Sequence, residues 1–131
     1  LLDGTISIVD YKTGSPPTSS DILHGFAPQL PLEAAIARAG GFKDISGAPV
    51  SLLEVWRING GDPAGERRPA GKNIDELSKV ALEGLTDLVK EFDDPKTPYL
   101  SHPNPIHAPG WSDYTHLARV LEWSSVEGGD E

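Results

Sequence analysis

Asp10 and Lys12 close an apolar, β-branched run, Ile8-Val9-Asp10-Tyr11-Lys12-Thr13-Gly14. In a strand, alternate side chains share a face, so this acid and this amine point the same way, about 7 Å apart. A carboxylate can hold a divalent cation, while a neighbouring ammonium orients water or offsets developing negative charge. That pairing suits metal-assisted hydrolysis of a phosphodiester. The plainer alternative is a surface strand ending in a charged turn. Gln29 and Glu33 are the nearest side chains that can join a site, because a helix following a strand across a short loop can begin near the strand's end. Gln29 can equally satisfy local backbone groups, and Glu33 can be one more surface acid.

The elements that must position these residues are legible from punctuation and period. Asp3-Gly4 predicts a tight hairpin turn, since Gly tolerates the positive φ such turns require. The strand Thr5–Lys12 then carries Ile6, Ile8, Asp10 and Lys12 on one face and Ser7, Val9 and Tyr11 on the other. A turn at residue 3 implies a partner strand before residue 1, and a strand without its partner leaves an edge open to self-association. Thr13–Pro17 reads as loop, and Thr18–Asp21 as the cap of a short helical turn up to Gly25. Pro28–Ala39 is expected to be a helix, with Pro28 and Pro31 in its first turn and Gly40-Gly41 as its stop. Its apolar stripe reads as Leu32, Ala35, Ile36 and Ala39.

Ser51–Asn59 predicts a second strand, with Leu53, Val55 and Arg57 opposed to Glu54, Trp56 and Ile58. Gly60–Gly71 reads as a polar loop. It lacks the Gly-Lys-Ser/Thr ending of a phosphate cradle. Asn73–Phe92 is the clearest helix, capped by Asn73 with Glu76 and striped by Ile74, Leu77, Ala81, Leu85, Leu88 and Phe92. Asp94-Pro95 stops it. Lys96–Gly110 is expected to be extended, Tyr114–Trp123 a last short helix, and residues 125–131 a flexible acidic tail.

The chain has 131 residues, one domain's worth, divisible into a strand-helix-strand core over 1–60 and C-terminal helices over 61–124. It has no Cys, which excludes disulfides and an iron–sulfur cluster and fits a cytoplasmic protein. It has no Met either, the mark of a processed chain or of a piece of a longer one. No apolar run has the length of a membrane span, so no membrane association is expected. The net charge of −9 opposes unassisted nucleic-acid binding, which relies on Lys and Arg to displace counterions. Arg67-Arg68 with Lys72 reads only as a small basic loop cluster.

Other polar groups carry less. His102 and His107 lack further ligands for a metal, and His24 and His116 have no motif around them. Neither Gly-x-Ser-x-Gly nor Cys is present for nucleophilic catalysis. Trp56, Trp111 and Trp123 could stack on bases, but no basic stripe accompanies them, which favours packing.

The string Asp10-Tyr11-Lys12-Thr13-Gly14, followed by Ala27-Pro28-Gln29-Leu30-Pro31-Leu32-Glu33, resembles the RecB-like nucleases of the PD-(D/E)XK superfamily. It is most similar to the C-terminal nuclease domains of AddB-type helicase–nuclease subunits, in their alphaproteobacterial form. The segment from Tyr114 to Ser124 resembles the same family's C-terminus.

The resemblance implies that Asp10 ligates Mg²⁺ with the main-chain carbonyl of Tyr11. It implies that Lys12 positions the attacking water or stabilises the transition state, and that Gln29 orders the site and contacts DNA. Glu33 stands where the family's Gln-x-x-x-Tyr motif has Tyr. The family's second metal-binding Asp, and a Glu or His further upstream, would precede Leu1. The resemblance therefore implies half a nuclease domain holding one of two metal carboxylates, inactive in isolation.

The expected architecture is α/β, a partial restriction-endonuclease-like core with a small mixed sheet flanked by helices. The expected function, in the intact protein, is Mg²⁺-dependent DNA (exo)nuclease activity in processing double-strand breaks for recombinational repair. The partners would be DNA and an AddA-like helicase–nuclease subunit. The rivals are a non-catalytic interaction module of such a complex and a generic acidic α/β domain. The last of these places Gln29 far from Lys12.

Overall fold

The computed structural model describes residues 1, 3–100, 104, 106, 116 and 117. The chain divides into two compact units, Leu1–Phe92 and Asp93–Glu131. The first holds β1 (Ile6–Lys12), α1 (Ser19–Leu23), α2 (Gln29–Arg38), β2 (Val50–Ile58), β3 (Gly65–Pro69) and nearly all of α3 (Ile74–Asp93). The architecture is mixed α/β, with a small mixed sheet of order β1-β2-β3 and helices. β1 and β2 are parallel, joined through α2, and β3 returns antiparallel to β2. In the second unit, the described residues include a turn in which Asp94 accepts from the backbone N–H groups of Lys96 and Thr97, just past the end of α3.

The chain enters β1 through the expected turn. Gly4 has φ +77°, and the Asp3 carboxylate accepts from the N–H and hydroxyl of Thr5. Asp3 is thus spent on the turn. α1 starts on a full capping box, with Thr18 and Asp21 bonding reciprocally.

The core lies between α2 and the β1–β2 pair. Ala34, Ala37, Leu53 and Val55 are each no more than 2 % exposed. Alanine at the contact lets the helix approach the sheet closely. Here the expected stripe is corrected: α2 buries Leu30, Pro31, Ala34 and Ala37, while Ile36 stays 44 % exposed. Apolar residues surround nearly the whole helix, so the period leaves its rotation undetermined. The sheet selects the small side chains. Gly47 lies where this helix turns back towards β2. A Cβ there would stand 2.6 Å from the Arg38 carbonyl oxygen, so the close return requires Gly.

Two further expectations change. Residues 65–69, read as loop, form β3. The inward stripe of α3 fails along its middle: Leu77 is buried and Ile74, Ala81 and Phe92 are half-buried, but Leu85 and Leu88 are 42 % and 52 % exposed. The helix meets the core through its first two turns and then runs past it. Of the expected helix over Tyr114–Trp123 only His116 and Leu117 are described, in a turn; the acidic tail, His102, His107, Trp111 and Trp123 lie outside the described residues. Among the described residues, no helix is long and apolar enough to cross a membrane.

Candidate functional site

β1 ends where α2 begins, so the strand's polar end and the helix's first turn meet. Ile6, Ile8 and Asp10 stand beside Val50, Leu53 and Val55 of β2, which point at α2. Strand alternation then carries Asp10 and Lys12 onto that same side, beyond the apolar core. The Lys12 Nζ lies 2.9 Å from Asp10 Oδ2, with side-chain exposures of 38 % and 16 %. Asp10, Lys12 and Gln29 line one cavity of about 300 Å³, together with Ser15, Pro28 and Val55. Crevices outside the carboxyl ends of parallel strands are common ligand sites in α/β proteins.

Gln29 is the first residue of α2 and is exposed. Its Nε2 donates to Glu33 Oε1 at 3.1 Å, one helical turn on. Glu33 therefore holds the Gln29 amide rather than standing as an unrelated surface acid. The sequence brings together the three residues it singles out, and a generic fold with Gln29 remote from Lys12 is not what is seen. Among the described residues, no three His, Cys, Asp or Glu side chains gather as a metal site. His24 instead caps α1, with Nδ1 2.8 Å from the Ser20 carbonyl oxygen.

The opposite face of the sheet carries a second polar cluster, which the sequence reading missed. β3 sets Arg67 beside Trp56. The guanidinium lies 5.2 Å from the Trp56 ring centroid and makes two 2.9 Å bonds to Glu54. The Trp56 N–H donates to Glu54 at 2.7 Å, and Tyr11 meets Trp56 edge-on. Trp56 does have a basic neighbour, delivered across the hairpin. Arg67 and Arg68 are not a loop cluster: they are strand residues paired with Glu54 and Glu66.

Glu54 is only 8 % exposed, and the Trp56 N–H, followed by Arg67, holds its carboxyl below the usual 4.5. A depressed carboxyl pKa contributes stability above the unfolded value and loses it as pH falls through the folded one. The stability gap between the wild type and Glu54→Gln should therefore be widest near neutrality and shrink as pH drops below 4.5. Urea midpoints across that range measure it. A gap independent of pH would show that the carboxylate's charge is not what Trp56 and Arg67 hold.

Comparison with protein-family models, curated proteins and solved structures finds no match to this chain, so the reading of the site rests on its residues and their geometry.

Proposed function

We propose that the chain carries the lysine-bearing strand and glutamine-bearing helix of a Mg²⁺-dependent deoxyribonuclease of the restriction-endonuclease-like, PD-(D/E)XK kind. In the intact protein it would trim broken DNA ends for recombinational repair beside an AddA-like helicase–nuclease subunit in the cytoplasm. The observation that carries this reading is the shared cavity of Asp10, Lys12 and Gln29 at the carboxyl end of the parallel strand pair.

The metal was weighed against the donors present. Asp10 offers one carboxylate, and the main-chain carbonyl of Tyr11 is the second ligand the resemblance implies. Mg²⁺ commonly takes one or two carboxylates and fills its remaining positions with water and phosphate oxygens. The described cavity fits half of such a site, and a further acid would have to come from outside the described residues. With Asp10 alone, binding is weak and cleavage by this chain in isolation is slow or absent. When bound, the ion would supply Lewis-acid activation of the phosphate and a more acidic water. The chain's own part is to hold that ion's ligand in place with Lys12, to orient water with the Lys12 ammonium, and to fix the entry of α2 with Gln29.

The test is end-labelled linear DNA incubated with the full-length gene product and Mg²⁺. Asp10→Asn is expected to slow cleavage about a hundredfold and to raise the Mg²⁺ concentration needed for half the maximal rate. Cleavage that survives this substitution, or survives EDTA, sinks the reading.

One observation favours the non-catalytic alternative. α3 exposes Leu82, Leu85, Leu88 and Val89 along an otherwise charged helix. If Asp10→Asn is silent while Leu85→Asp abolishes binding to an AddA-like subunit, the chain is an interaction module.

A further inference from the structure

Among the described residues of the sheet, Arg57 is the cation with no carboxylate of its own. It stands in register with Lys12, one strand over, on the face shared with Asp10. Parallel neighbours in a sheet are about 4.8 Å apart, so the two cationic side chains leave the backbone side by side. On its other flank, Arg57 faces Glu66 of β3. That carboxylate is bonded to the Arg68 Nε at 2.6 Å. Asp10 is likewise taken by Lys12. The Arg57 Nε is shut off from solvent and has no hydrogen-bond partner among the described residues. Burying a donor without a partner is costly and uncommon in native structures. Each other arginine at this end of the sheet, Arg67 and Arg68, has its own carboxylate.

This face of the sheet therefore carries Lys12, Arg57 and Arg68 against Asp10 and Glu66, one positive charge in surplus, with Arg57 left to share the Glu66 carboxylate that Arg68 holds. A tetrahedral anion beside Lys12 would answer that surplus. Its oxygens can accept from the two Nη groups at the end of the Arg57 guanidinium, the Nε being closed to solvent. We propose that Arg57 is a substrate-binding residue of this site, anchoring a DNA backbone phosphate next to the Asp10–Lys12 pair. The inference rests on the nuclease reading for the identity of the anion. It assigns the direction of the strand as well: the backbone crosses the carboxyl ends of β1 and β2, from the α2 entrance towards the β2–β3 hairpin. Because the chain carries net charge −9, a single localised phosphate contact weighs heavily in its affinity.

The experiment is fluorescence anisotropy of a short labelled single-stranded oligodeoxynucleotide with this chain, without divalent metal, over a range of salt. Arg57→Gln should weaken binding about tenfold, the effect of losing a charged hydrogen-bond donor. It should also flatten the plot of log affinity against log salt by about 0.7, the share of one phosphate on a single strand. Arg57→Lys should keep the salt slope and recover part of the affinity, which a loss of folding would not do. Arg67→Gln, on the opposite face, should leave both unchanged. If the wild type binds and Arg57→Gln matches it in affinity and slope, the anchor is wrong and the nuclease reading stands. If Arg57 governs binding but Asp10→Asn leaves cleavage intact, the phosphate contact stands and the hydrolytic reading falls. No binding by the wild type at low salt overturns the anchor.

Discussion

Lys12→Ala should lower Mg²⁺-dependent DNA cleavage by the full-length gene product by about two to three orders of magnitude, the usual loss when a preorganised charge-stabilising group is removed. The ammonium sits at the last position of β1, 2.9 Å from Asp10 and partly exposed, in the cavity that Gln29 shares. Its side chain is not among the core residues, so the fold should survive its loss. Lys12→Arg keeps the charge but replaces a compact point donor with a planar fork, and should recover only a small part of the rate. Single-turnover rates with saturating DNA, alongside circular dichroism of each variant, separate chemistry from folding. A Lys12→Ala protein cutting within a few-fold of the wild type would remove Lys12 from the reaction, whatever its neighbours.

The largest stability effect is expected at Leu53→Ala, which should cost about 3 kcal/mol, within the range for large-to-small changes in well-packed cores. Leu53 is 2 % exposed on the central strand, paired with Ile8 and part of the cluster containing Ala34 and Val55. The opposing alanines of α2 are already small, so the helix has no side chain that can swing in to fill the void. Leu85→Ala makes the matching control: at 42 % exposure it should cost well under about 1 kcal/mol. Urea unfolding of both variants measures the difference. Equal losses would mean that α3 is buried in solution along the face seen here as open.

Much of this was readable from residue order. Asp3-Gly4, the Thr18–Asp21 box, Gly40 and Asp94-Pro95 mark element ends because each supplies a local backbone interaction, and such signals do not depend on the rest of the fold. The co-facing of Asp10 and Lys12 follows from strand alternation alone. β3 was hidden for the opposite reason. Gly65-Glu66-Arg67-Arg68-Pro69 has no apolar member and ends in proline, so neither period nor propensity marks it. It is a strand because β2 offers it a ladder and because Glu54 and Glu66 answer its arginines. The aromatic-cation cluster around Trp56 was invisible with it. The rotation of α2 was missed because a helix rich in alanine offers several plausible faces, and close approach to a sheet favours the smallest one. The limited burial of α3 depends on how far the core extends beneath it, which no window of sequence contains.

The register of β1 against β2 contains one irregularity. Ile6 is opposite Val50 and Ser7 opposite Leu52, so Ser51 is an extra residue in β2. Were Ser51 paired with Ser7 rather than bulged out of the ladder, each later residue of β1 would meet the β2 residue one place earlier, and Asp10 would stand against Glu54, acid beside acid, with Tyr11 beside Val55. The inserted serine works as a phase shifter. It sorts the strand's charges, sending Asp10 and Lys12 to the helix side with Arg57 and leaving Glu54 to Arg67 on the other. The two polar faces of this sheet are kept distinct by a single residue far along the chain from the acid and the amine.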